Sequence, residues 1–366
     1  KWSFYGDDVL AAWVAEMDYP IDPLVRAALH EAIERSATGY PPDPDHSGVP
    51  AACAAWLSRS FGFALEPRQI RILPNVLHGI VLAIGVFSRP DSPVVIMTPS
   101  YPPFFETVRM SGRQIVEVPM LDGGDRPGFD LDAIGAALRA GAGTVILCNP
   151  HNPLGRVFTR AELAALADIV EAHGARVVVD ELHAPLVYPG AAHVPYAMAS
   201  EVAARHSVTL VSATKGWNLP GLKCAQLVLT NEPDIARWDR LSYLQTSGAS
   251  ILGMLANRVA FEQGGAWLHD VVTYLDGNRT LLARLLSELL PQVPYSPPQA
   301  TYLAWLDCRA LGLDNPATFF LQRARVALTD GADFGMPGRG YVRLNFATSR
   351  AILTTIVRRM AASLET

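Results

Sequence analysis

The sequence is poor in the features that mark several classes of protein. It has four cysteines in 366 residues, Cys53, Cys148, Cys224 and Cys308. None falls at the short paired spacing that a zinc site or a disulfide framework uses, so they read as separate thiols in a reducing compartment and no metal site is expected. Charge is also sparse: 18% of residues are Asp, Glu, Lys or Arg, and the formal net charge is -5. Nucleic-acid backbones and anionic membranes attract clustered Lys and Arg, which disfavours both as partners. No run approaches the length of about 18 uninterrupted apolar residues that marks a transmembrane helix. Residues 1–8 are polar and aromatic rather than charged and then apolar, unlike a signal peptide, and a cytoplasmic location is expected. A nicotinamide-dependent oxidoreductase would need a Gly-rich strand-to-helix turn with an acidic residue about 20 positions on, and that fingerprint is missing.

Apolar residues are abundant, at 50% of the chain, and the length suits about two domains. Between residues 70 and 230, short β-rich runs alternate with helix-like stretches, which predicts strand-helix-strand units and a parallel sheet. The candidate strands are 94–97, 115–118, 144–148, 176–179, 208–211 and 225–229. Their near-continuous apolar character suits burial on both faces. Thr159 and Glu162 have capping-box spacing and open a helix over 161–173 that Gly174 ends. Downstream of about residue 265 the texture changes. A long helix-like stretch, 267–290, precedes a Pro-rich segment and two further strands, 300–306 and 341–346. The reading is an α/β protein with an N-terminal segment (1–40), a large domain (41–264) and a smaller C-terminal α/β domain (265–366).

Ligands of open parallel sheets sit at the carboxyl ends of the strands, and polar residues cluster there. Asn149 to Gly155 follow one strand, Asp180-Glu181-Leu182-His183 the next, and Ser212-Ala213-Thr214-Lys215 a third. A partly desolvated lysine at such a site has a lowered pKa and becomes an amine able to condense with a carbonyl, a need Lys215 fits; taken alone, Lys215 reads first as a surface lysine beginning a loop. Asp180 ends an apolar run, so its carboxylate is expected to be buried and to need a cation or a helix to cap.

These motifs, with Trp13-Val14-Ala15-Glu16-Met17-Asp18-Tyr19, Gly39-Tyr40, Tyr101-Pro102-Pro103-Phe104 and Tyr341 to Asn345, together resemble fold-type I pyridoxal-phosphate enzymes, the aspartate-aminotransferase-like family. Within it they look most like the MalY/PatB-type cystathionine β-lyase branch. The resemblance implies a large domain with a mostly parallel seven-stranded sheet flanked by helices, and pyridoxal 5'-phosphate as cofactor. It implies that Lys215 holds the cofactor as a Schiff base, Asp180 its pyridinium nitrogen and Asn152 its phenolic oxygen, while Tyr101 stacks on the ring. For the phosphate it implies the backbone of Val76 and Leu77, with Ser212 and Lys223. Tyr40 is implied to reach it from a neighbouring subunit, hence a homodimer. Arg343 matches the arginine that grips the substrate α-carboxylate, with Ala15 and Asn152 beside it; a structural ion pair is the alternative. His183 is placed on the cofactor side, as a positioner of Asp180, a cofactor contact or a buried histidine. Segment 333–338 reads as a mobile Gly-rich loop near Arg343.

The activity implied is carbon-sulfur β-elimination from L-cystathionine or a related cysteine conjugate, giving a thiol, pyruvate and ammonia. Class I/II transamination shares the same residues up to the carbanion, and a regulatory protein that keeps the fold is a further alternative.

Overall fold

Runs of aliphatic and β-branched residues, buried on both faces, build the central sheet. The structure is a computed structural model that describes residues 1–43, 46–121 and 127–365. The short strand β1 (Leu10–Ala11) lies apart. It is followed by β2 (Ile70–Leu73), β3 (Val94–Thr98), β4 (Ile115–Pro119), β5 (Thr144–Cys148), β6 (Arg176–Asp180), β7 (Ser207–Val211) and β8 (Ala225–Leu229). These last seven form one sheet in the order β2-β8-β7-β6-β5-β3-β4. The pairings among β3 to β7 are parallel, whereas β8 runs antiparallel to both β7 and β2. The predicted strand at 225–229 is therefore present but reversed, and β2 is an edge strand that the expected set of six did not include.

Helices cover both faces. The helix Val76–Phe87 opens on Asn75, whose side chain accepts from the His78 N–H at 2.9 Å. It lies close to β7 because residue 79 is glycine: a methyl group there would sit 2.1 Å from Leu210 Cδ2. On the opposite face the helix Arg160–Ala172 carries the expected capping box, with Glu162 Oε2 accepting from the Thr159 N–H at 2.8 Å. Thr159→Ala is expected to lower unfolding free energy by about 1 kcal/mol. A urea titration with a lower midpoint and unchanged slope checks this.

A second core gathers the later chain. Strands β9 (Leu303–Asp307), β11 (Thr329–Asp330) and β12 (Tyr341–Asn345) make a sheet in the order β11-β12-β9, and β10 (Val326–Ala327) pairs with β1. The long helix Gly265–Leu289 and the last helix, Arg350–Ala362, pack Leu275, Leu282, Leu353 and Ile356 into this core, which also takes in Ala12, Ala15 and Met17. The helix Pro23–Glu34 instead buries Val25 in the cluster around Trp56, Trp217 and Phe261.

One expectation is corrected. The strand read over 300–306 begins only at Leu303, because Thr301 holds a left-handed φ of 71° that interrupts extended backbone. Segment 333–338 spans parts of the turns Gly331–Phe334 and Met336–Gly338, pressed together so closely that a methyl group on Gly338 would lie 1.9 Å from the Gly331 carbonyl oxygen. Among the described residues, no helix is long and apolar enough to cross a membrane. All four cysteines are free and buried.

Candidate active site

Side chains alternate across a strand, so even-numbered positions of β5, β6 and β7 share one face. Ile146, Cys148, Val178, Val208 and Leu210 pack with Val76, Ile80 and Ile84. Val145, Leu147, Val177 and Val179 pack with Leu163, Leu166 and Val170 on the other side. The same parity carries Asp180 and Ser212 toward the first turn of the helix Val76–Phe87. Because β5, β6 and β7 are neighbours, the three polar strand ends meet there.

They enclose a cavity of about 280 Å³ lined by Ala15, Val76, Leu77, Tyr101, Asn152, Asp180, His183, Ser212, Lys215 and Lys223. Arg343 lines an adjoining cavity of about 490 Å³ that shares Tyr101, and its Nη1 donates to Asn152 Oδ1 at 3.0 Å. The structure thus gathers every residue singled out from the sequence except Tyr40, which is 96% exposed and lines neither cavity.

Burial sets the electrostatics. Lys215 donates to the Ala15 carbonyl at 2.7 Å, and that carbonyl also accepts from the Tyr302 hydroxyl at 3.0 Å. Burial, reinforced by the Arg343 charge, brings the Lys215 ammonium down to about 8. Burial pushes the Asp180 carboxyl up to about 6, against the hydrogen bond that its Oδ1 accepts from the Leu182 N–H at 2.9 Å. A cation beside Asp180 would restore the carboxylate. His183 is held neutral, down to about 3, by burial and then by Lys215 and Arg343. Among the described residues its Nδ1 has no partner and no hydrogen bond joins it to Asp180; its ring meets Tyr302 edge-on at 6.0 Å. Burial raises the Tyr101 phenol.

Arg343 is the sharpest feature. It is 4% exposed, and its Nη2 donates to the Trp13 carbonyl at 3.1 Å and to Thr329 Oγ1 at 3.2 Å. Its Nε has no partner among the described residues. Among the described residues no carboxylate pairs with it, so the alternative of a structural ion pair is absent there. A buried guanidinium with no counter-ion calls for an anionic ligand.

The donor set matches pyridoxal phosphate: an amine of lowered pKa, a buried carboxylate with one oxygen unclaimed, an aromatic wall, and a helix start whose first N–H groups lack intrahelical acceptors. Ser212 Oγ is already engaged, donating to the Cys224 carbonyl at 2.7 Å and accepting from the Thr214 N–H at 3.1 Å. Sequence reasoning missed the residues behind it. Asn257 Oδ1 accepts from the Ala213 N–H at 3.1 Å, and Asn218 holds the 13–19 segment through the Met17 N–H and carbonyl, both at 3.0 Å. A buried Asn on the apolar helix Ile251–Gln263 was the one available signal for Asn257.

The chain matches the family described as aminotransferase class I and II over residues 13–360 and belongs to it. It is 39% identical to the cystathionine β-lyase of Corynebacterium glutamicum, with 100% of this chain and 96% of that protein covered. It is 32% identical to the cystathionine β-lyase PatB of Bacillus subtilis (strain 168), with coverage of 100% and 96%. Among solved structures it is similar to a Corynebacterium diphtheriae protein assigned as a PLP-dependent β-cystathionase, with a TM-score of 0.96, 39% identity, and coverage of 100% of this chain and 95% of the other. The architecture is the PLP-dependent aminotransferase-like fold.

Proposed function

We propose that the protein is a pyridoxal-phosphate-dependent carbon-sulfur β-lyase that cleaves L-cystathionine or a related cysteine S-conjugate to a thiol, pyruvate and ammonia. The observation that carries this reading is the convergence of Lys215 and Asp180 on one cavity, with the unpaired guanidinium of Arg343 beside it. Full-length similarity to proteins named cystathionine β-lyase supports the choice of reaction.

Bound in the cavity, pyridoxal phosphate supplies an electron sink for the pair left when the substrate's α-proton departs. Asp180 keeps the ring nitrogen protonated. Asn152 has its carbonyl oxygen occupied by Arg343, so its amide N–H groups are the ones offered to the phenolic oxygen. Val76 and Leu77 N–H groups take the phosphate, with Ser212 and Lys223, and Tyr40 of a second copy completes that site in a homodimer. Tyr101 gives the ring an aromatic face. Arg343 would hold the α-carboxylate, and the free amine of Lys215 would take the α-proton as general base. Breaking the Cβ–S bond would then release the sulfur as a thiolate that takes up a proton, and water would convert the three-carbon remainder to pyruvate and ammonia. Residues 41–264 would act as the large cofactor-binding domain and 265–366 as the small C-terminal domain, with the 1–40 segment packing on the small domain and on the dimer partner.

Sustained pyruvate release from L-cystathionine without any added keto acid tests the reaction. Strict keto-acid dependence would make the protein an aminotransferase instead.

The lowered Lys215 pKa has a measurable sign. Only the uncharged amine attacks a carbonyl, and at about 8 instead of 10.5 roughly a tenth of the molecules carry it at neutral pH, against fewer than about one in a thousand for an ordinary lysine. Uptake of pyridoxal phosphate by the cofactor-free protein, followed by absorbance, is expected to quicken about tenfold per pH unit and level off near 8. A rate that climbs on toward the ordinary lysine value would contradict the burial of Lys215.

A further inference from the structure

The 490 Å³ cavity beyond Arg343 is larger than an α-carboxylate needs. Arg343 lines it, and the buried Nε of that guanidinium has no partner among the described residues. Leu321, Tyr5 and Trp13 line the same cavity. So do Asp330 and Asp333, which bring negative charge to it. The two carboxylates are not equivalent. Asp330 is committed to the fold: its Oδ1 accepts from the Ala332 N–H at 3.0 Å and its Oδ2 from Asn315 Nδ2 at 2.5 Å. Asp333 is exposed, and no hydrogen bond or ion pair engages it among the described residues. Burial and the neighbouring Asp330 charge raise its carboxyl above the usual value, which a nearby cation would reverse.

A free carboxylate in a cavity that also holds aromatic residues is chemistry that recognises an ammonium group. With Arg343 and Asp333 lining one cavity, it offers a cationic partner to the α-carboxylate and an anionic partner to an ammonium group carried on the substrate's side chain. We infer that Asp333 is a specificity-determining residue that receives the distal ammonium of the substrate's leaving group, selecting thiol leaving groups that carry an amine over otherwise identical ones that do not. This rests on the lyase reading above and narrows its substrate class.

The test compares L-cystathionine with S-(3-carboxypropyl)-L-cysteine, which differs only in lacking the distal amino group. In the holoenzyme, Asp333→Asn is expected to raise KM for L-cystathionine about three- to fivefold, the range of an exposed ion pair, with kcat unchanged. KM for the analogue should stay as in the wild type, and Asp333→Glu should restore most of the preference. Equal effects on both substrates, or none on either, would overturn the inference. Because no hydrogen bond or ion pair engages the Asp333 side chain among the described residues, the variant should melt with the wild type. Equilibrium binding of both compounds to the Lys215→Ala protein, with and without Asp333→Asn, reads the same selectivity without turnover. Absence of pyruvate from either compound would therefore sink the lyase reading, while the binding ratio would still decide this one.

Discussion

Lys215→Ala is expected to cut pyruvate release from L-cystathionine by about 10³-fold or more, since on the proposed assignment it removes both the amine that holds the cofactor and a general base that alone is worth roughly 10²–10⁴-fold. Lys215→Arg should be as inactive: guanidinium keeps its proton at any pH the protein survives, so neither nucleophile nor base is restored. Both variants should fold. Lys215 contributes one hydrogen bond, to the Ala15 carbonyl at 2.7 Å, and that carbonyl retains the Tyr302 hydroxyl at 3.0 Å as donor when the amine is gone. Removing a desolvated cation also relieves the penalty that lowers its pKa, so the melting temperature should not fall. A pyruvate assay beside an absorbance spectrum and a thermal melt separates these terms. A Lys215→Ala protein that keeps a tenth of the activity would end the assignment of Lys215 as the cofactor lysine.

The sequence revealed Lys215 by its company rather than by itself, and the structure explains why. Strands buried on both faces read as near-continuous apolar runs, so β3 and β5 to β8 could be placed to within a residue of their observed ends, as at Thr144–Cys148 and Ala225–Leu229. Their polar successors then marked three strand ends, and alternation put Asp180 and Ser212 on one face. Direction was a different matter. An antiparallel strand buried among parallel ones has the same composition as its neighbours, so nothing local announced that β8 is reversed. Strand β2 escaped because it is only four residues long and Arg71 interrupts it.

Long-range partners were equally hidden. The Ala15 carbonyl that receives Lys215 lies 200 residues away in sequence, and a backbone acceptor carries no side-chain signature. Trp13 enters the Arg343 site likewise through its carbonyl. What the motif around Ala15 preserves is the path of the backbone, pinned by Asn218 and by Asn345 Nδ2, which donates to the Val14 and Glu16 carbonyls at 2.7 Å each. The resemblance could point to these residues as a set, but only the folded chain shows that the 13–19 segment lies between the amine and the guanidinium.

That placement makes Arg343 the second site of large expected effect. Arg343→Ala should lower kcat/KM for L-cystathionine by about 10²-fold, because truncating one partner of a buried charge pair costs roughly 2–5 kcal/mol. Much of the loss should appear in KM, since the carboxylate is held before and during proton removal. Arg343→Lys should recover only part of it. An ammonium is a single point charge and cannot reproduce the planar fork that reaches Asn152, Trp13 and Thr329 at once. Asn152 adds a discriminating test. Its Oδ1 accepts from Arg343, so the amide is held with its N–H groups free for the cofactor only while Arg343 is present. Asn152→Ala and Arg343→Ala should therefore combine less than additively, as contacting residues do. Strict additivity, or an Arg343→Ala enzyme with kcat/KM within about threefold of wild type, would mean that the α-carboxylate is held elsewhere and that this buried guanidinium serves the fold alone.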